Sequence, residues 1–129
     1  MTNRIQQTES ISAPPNAVYE LLTSSEQFAA MTGGAPAEID ATEGGAISLF
    51  GGMITGRNIE LVPGQRIVQA WRPNPWDAGV YSLVCFSIEA TDEGSSVSLD
   101  QSSFPDGEGE HLAQGWHDNY WNNMRTALA

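Results

Sequence analysis

A chain of 129 residues with sixteen carboxylates, five arginines and no lysine carries a net charge of −11. That charge repels the phosphate backbones and anionic membrane surfaces that cationic side chains bind, so neither nucleic acid nor a membrane is an expected partner. The lone cysteine, Cys85, cannot close an internal disulfide, and no stretch approaches the ~20 apolar residues of a membrane span, so a reducing, cytoplasmic setting is expected.

The length suits one domain, residues 1–129, and such a chain hides roughly two-thirds of its unfolded surface without metal or disulfide staples. From Arg4 to Ile11 polar and apolar residues alternate loosely, as in an edge strand. Pro14 and Pro15 interrupt it and suit a helix start, after which Val18, Leu21 and Leu22 fall at helical spacing. Ser24 with Gln27 reads as a capping box for a second short helix carrying Phe28 and Met31, and Gly33-Gly34 stops it.

Turn signals at Gly44-Gly45, Gly51-Gly52, Pro63-Gly64 and Glu93-Gly94 divide the middle of the chain into strands near 47–50, 54–62, 65–72, 80–90 and 95–103. Val80, Val84, Phe86 and Ile88 mark one inward face. Pro73 and Pro75 force a structured, non-helical loop that carries Trp76.

The period then changes. Asp106, Glu108 and Glu110 precede a long helix in which Leu112, Trp116, Tyr120, Trp121, Met124 and Leu128 share about half the circumference, together with Ala113 and His117. An antiparallel sheet with one apolar face needs a cover, and this helix has the matching face. The order predicts an α+β helix-grip fold: a curved antiparallel sheet wrapped around a long carboxy-terminal helix, with two short helices after the first strand. Large aromatic side chains bridge such a gap imperfectly, so a cavity is expected between sheet and helix.

The string Phe50-Gly51-Gly52-Met53-Ile54-Thr55-Gly56, then Leu61-Val62-Pro63-Gly64, then Ile67-Val68-Gln69-Ala70-Trp71-Arg72 resembles one family. Pro75-Trp76-Asp77-Ala78-Gly79, and Gly115-Trp116 followed by Tyr120-Trp121, carry the same likeness. Five motifs in this order resemble the carboxy-terminal domain of the activator of heat-shock-protein-90 ATPase and its bacterial single-domain homologues, from about Arg4 to the end. The resemblance implies the helix-grip superfamily of birch-pollen-allergen-like and lipid-transfer domains, whose members commonly hold an apolar or amphipathic molecule under the long helix. It also implies, as an alternative, a co-chaperone that stimulates a chaperone ATPase.

The expectation is therefore a non-enzymatic binding module for a small apolar or amphipathic molecule. Its walls are expected from Trp71, Phe86, Phe104, Trp116, His117, Tyr120 and Met124. His117 reads either as a polar handle for a ligand or as a core-edge histidine bonded to a strand. His111 reads as solvated. Trp76 reads as an exposed partner anchor or as a cover over the cavity mouth, the second slightly favoured. Two histidines six apart lie roughly 240° apart on a helix, and Cys85 is on a distant strand, so no metal or other cofactor is expected. Capping accounts for Glu108 and Glu110. No glycine frame surrounds a serine as a nucleophile elbow requires, so no enzyme is expected. A monomer or weak dimer is expected, with the exposed sheet edge placed at the proline-flanked region.

Overall fold

The computed structural model of the chain describes residues 3–128. Among these residues seven strands form one antiparallel sheet in the order β1-β7-β6-β5-β4-β3-β2. Strand β1 (Arg4–Ile11) leads into α1 (Pro15–Thr23) and α2 (Ser25–Met31). The Ser24 hydroxyl accepts the Gln27 N–H at 3.2 Å, and the Gly34 N–H bonds back to the Ala29 carbonyl, so both ends of α2 are placed as the sequence predicts. Strands β2 (Glu38–Ile39), β3 (Ala46–Leu49), β4 (Ile54–Val62), β5 (Arg66–Pro73), β6 (Ser82–Thr91) and β7 (Gly94–Ser102) follow.

The period of two sorts the side chains of β5, β6 and β7, with Val68 of β5 the one buried residue on the opposite face. Ile67, Gln69 and Trp71 of β5, Ser82, Val84, Phe86 and Ile88 of β6, and Ser95, Val97, Leu99 and Gln101 of β7 are all buried. Register places Phe86 between Ile67 and Leu99, and Trp71 between Gly56 and Ser82. Gly56 is required there because a Cβ would lie 1.8 Å from the Ala70 carbonyl oxygen. Only a glycine lets these two strands approach so closely.

Three details differ from the sequence reading. Strand β2 is too short for periodicity to reveal. Strand β6 begins at Ser82, because the Val80 N–H closes a turn onto the Asp77 carbonyl instead of entering the ladder. The sheet edges are β1 and β2 rather than the proline-flanked segment, which is a loop tied down by its own hydrogen bonds.

The carboxy-terminal helix runs as α3 (Gly109–Gly115), a π-helical stretch (Trp116–Trp121) and α4 (Asn122–Ala127). In the π stretch the Asn122 N–H reaches the His117 carbonyl, five residues back, which widens the turn. Tyr120 and Trp121 are consecutive, yet both are buried, with Leu112, Trp116 and Met124. Gln7 of β1 clamps this region: its amide donates to the Ala113 carbonyl at 3.1 Å and accepts the Trp121 indole N–H at 2.6 Å. Each large apolar side chain on this face contributes about 1.5–3 kcal/mol on burial, which is what holds helix to sheet.

Candidate functional site

The centre of the helix–sheet interface is filled. Phe86 stacks on Tyr120 with centroids 6.0 Å apart and meets Trp116 edge-on at 5.7 Å. Phe86, Trp121 and Met124 are each no more than 1% exposed. Open space lies along one flank of the helix instead, as a cleft of about 350 Å³. Its helical wall is Glu108, His111, Leu112, Gly115, Trp116, Asn119 and Tyr120, a stripe at spacings of three and four. The facing wall is Phe50 and Met53 from the β3–β4 connection, Ile54 at the start of β4, Trp71 and Pro73 from β5, and Pro75 and Trp76 from the loop that follows.

Three expected wall residues, Trp71, Trp116 and Tyr120, are brought together here. Phe86, Phe104, His117 and Met124 are not among the cleft's walls. Phe86 and Met124 form the packed layer behind it, and Phe104 is buried near the helix start, 3.5 Å from where a Cβ on Gly109 would stand. His117 is half-buried and sits outside the lining stripe, whereas His111, expected to be solvated, is exposed at the cleft. The difference is one of helical phase: 111, 115 and 119 share a side that 117 does not.

Trp76 folds back over the cleft. Its ring meets Trp71 edge-on at 6.4 Å, and its indole N–H donates to Glu108 Oε1 at 2.9 Å. Glu108 therefore latches the loop to the helix start, and its side chain makes no cap, in place of the capping role expected for it. The Arg72 guanidinium holds the loop from behind, donating to the carbonyls of Val80 at 3.1 Å, Asp77 at 3.0 Å and Trp76. Arginine's planar fork suits this three-way contact, and the cation is consumed by the loop and is not part of the cleft wall.

A buried relay sets the opposite wall. Trp116 Nε1 donates to Gln101 Oε1 at 2.8 Å, Gln101 Nε2 donates to Ser82 Oγ at 3.0 Å, and Ser82 Oγ donates to the Trp71 carbonyl at 2.9 Å. It holds the two indoles stacked at 5.4 Å and 28°. Phe50 supports the far end from a left-handed backbone (φ 53°), a conformation costly for a residue with a side chain. Its ring lies 6.0 Å from that of Tyr120. Burial pushes the Tyr120 hydroxyl well above the ordinary tyrosine range, and the neighbouring Trp71 indole opposes that push only in part.

One polar atom is left over. Trp71 is 5% exposed, and its Nε1 has no hydrogen-bond partner among the described residues. The Tyr120 hydroxyl is near enough to feel it but does not meet it in hydrogen-bonding geometry. Among the described residues no three His, Cys, Asp or Glu side chains converge as a metal site requires, and no helix is long and apolar enough to cross a membrane.

A curved antiparallel sheet gripping a carboxy-terminal helix, with an aromatic cleft along that helix, defines a helix-grip domain. The chain belongs to the family described as Activator of Hsp90 ATPase homolog 1-like protein, whose model matches residues 12–129. It is 30% identical to the Dictyostelium discoideum activator of 90 kDa heat shock protein ATPase homolog, over 99% of this chain and 33% of that protein. It is 27% identical to the human activator of 90 kDa heat shock protein ATPase homolog 1, over 98% of this chain and 37% of that one. The chain thus spans about a third of the length of these relatives. An HSP90 activator from Plasmodium falciparum superposes with a TM-score of 0.90 at 27% identity, covering 97% of this chain and 95% of that one.

Proposed function

We propose that this domain binds a small apolar or amphipathic molecule in the cleft between the carboxy-terminal helix and the Trp71–Trp76 wall, without transforming it. The observation that carries this reading is an aromatic-walled cleft of about 350 Å³, one of whose wall residues, Trp71, has a buried and unpartnered indole N–H. Small-molecule sites are typically mostly apolar clefts of about 300–1,000 Å³ with a few placed polar groups, and an orphaned buried N–H is costly unless something accepts from it. The test is titration with Nile red, a neutral dye that brightens in apolar surroundings. Wild-type protein should bind one dye saturably, and Gly115→Leu, which fills the cleft from the helix side, should abolish binding while the melting temperature holds. Absent saturable binding, or binding undiminished by Gly115→Leu, contradicts the proposal.

A second reading is favoured by the relatives' names: contact with a heat-shock-protein-90-type chaperone and stimulation of its ATPase. Similarity at 27–30% identity and a TM-score of 0.90 to an HSP90 activator support it. Adding the protein to the chaperone of its own source should then raise ATP turnover; an unchanged rate at saturating protein removes this reading and leaves the first untouched.

A further inference from the structure

The chain has four tryptophans, and among the described residues three of their indole N–H groups are paired with side-chain oxygens. Trp76 donates to Glu108, Trp116 to Gln101 and Trp121 to Gln7. Trp71 alone keeps an unpartnered N–H, and it does so in the cleft wall, with the Tyr120 hydroxyl beside it. Both groups can donate to an oxygen.

The charges around the cleft point the same way. Among the described residues its walls contain the carboxylate of Glu108 and no lysine or arginine, and the protein as a whole is strongly acidic. A buried anion needs a cation or several donors, and neither Arg72, bonded to three carbonyls of its own loop, nor exposed His111 supplies a fixed buried charge.

We infer that the cleft selects a neutral, largely apolar molecule carrying one hydrogen-bond-accepting oxygen, such as an aryl or alkyl ketone, received by the Trp71 indole N–H, and that it discriminates against carboxylates. This rests on the cleft being a ligand site. A fatty-acid-type anion would bring its charge toward Glu108 with no counter-ion, whereas a carbonyl oxygen pairs the orphaned donor and leaves the apolar remainder against Trp116, Leu112 and Phe50.

The experiment uses three probes of one shape: acetylnaphthalene, ethylnaphthalene and naphthoate. Each is titrated into the isotope-labelled 129-residue chain while the four indole proton–nitrogen signals are followed, with the Trp71 signal assigned by its loss in Trp71→Phe. The ketone should bind about tenfold more tightly than the hydrocarbon, the worth of one net hydrogen bond, and should move the Trp71 indole proton downfield. Naphthoate should bind least. In Trp71→Phe the ketone's advantage should vanish while the hydrocarbon still binds. If that variant does not fold, the wild-type affinity ranking of the three probes decides alone. Binding by none of the three overturns the ligand-site reading itself. Equal binding of ketone and hydrocarbon with the Trp71 signal unmoved, or tightest binding by naphthoate, leaves that reading standing and overturns this inference.

Discussion

Trp116 Nε1 donates to Gln101 Oε1 across 2.8 Å, joining the π-helical stretch to β7 through two side chains that are both essentially inaccessible to water. Because Gln101 also donates to Ser82, which donates to the Trp71 carbonyl, one glutamine fixes both stacked indoles of the cleft wall. Replacing it with leucine leaves the Trp116 N–H buried and unpaired. Gln101→Leu should cost about 2–3 kcal/mol, measured by urea unfolding, and should broaden the Trp116 indole signal. Unchanged stability would show that the relay contributes nothing.

The Glu108 latch makes a separable prediction. Glu108→Ala removes the acceptor for the Trp76 N–H but no core contact, so stability should fall by about 1 kcal/mol or less. The loop should loosen. Quenching of tryptophan fluorescence by acrylamide should rise through Trp76, and a ligand bound in the cleft should leave faster. Quenching identical to wild type would mean that Arg72 alone holds the loop closed.

Gly115 sits in the helical wall with ordinary helical torsions (φ −60°, ψ −35°), and an added Cβ would meet its nearest neighbour, Asn119, at 3.7 Å. Alanine there should stabilise the fold by about 0.5–1 kcal/mol, the usual gain over glycine inside a helix. The same methyl narrows the cleft, so binding should weaken as the melting temperature rises. Gly56→Ala should do the opposite to stability, because its Cβ would overlap the Ala70 carbonyl; chemical denaturation of the pair separates a glycine kept for space to bind from one kept for strand packing.

Alkaline stability should depend on Tyr120. Burial raises its folded-state pKa above the unfolded value of about 10, so the unfolded chain gives up this proton first. The contribution is complete below about pH 10 and is lost as pH rises toward the folded pKa. Tyr120→Phe should flatten the fall in stability above that point. Tyr19, whose pKa is also raised, first by burial and then by Glu43, should leave a smaller residual slope. An identical alkaline profile in wild type and Tyr120→Phe would contradict the assignment.

The fold was legible because its signals are periodic and local. Phe86 with Ile88 on a strand and Leu112 with Trp116 and Tyr120 on a helix report burial through spacing alone, and Ser24 with Gln27 marks a helix start. The site was legible only in part. The apolar arc of the last helix marks what is buried, and buried side chains such as Phe86 and Met124 fill space rather than line it. The cleft follows a neighbouring stripe whose clue was its small and polar members, Gly115 and Asn119, beside Trp116. Glu108 and Gln101 were illegible for another reason: each is defined by an indole from another element, Trp76 of the loop for Glu108 and Trp116 of the helix for Gln101, and no local pattern encodes that pairing. Trp76 over the cleft was foreseeable, since Pro73 and Pro75 leave the loop few conformations.

Native mass spectrometry of protein purified without detergent tests the central claim most directly. A retained small molecule should appear as added mass that departs on denaturation, with Gly115→Leu carrying none. Wild-type protein that stays at its bare mass, even after incubation with excess neutral apolar ketone, would contradict the cleft as a binding site.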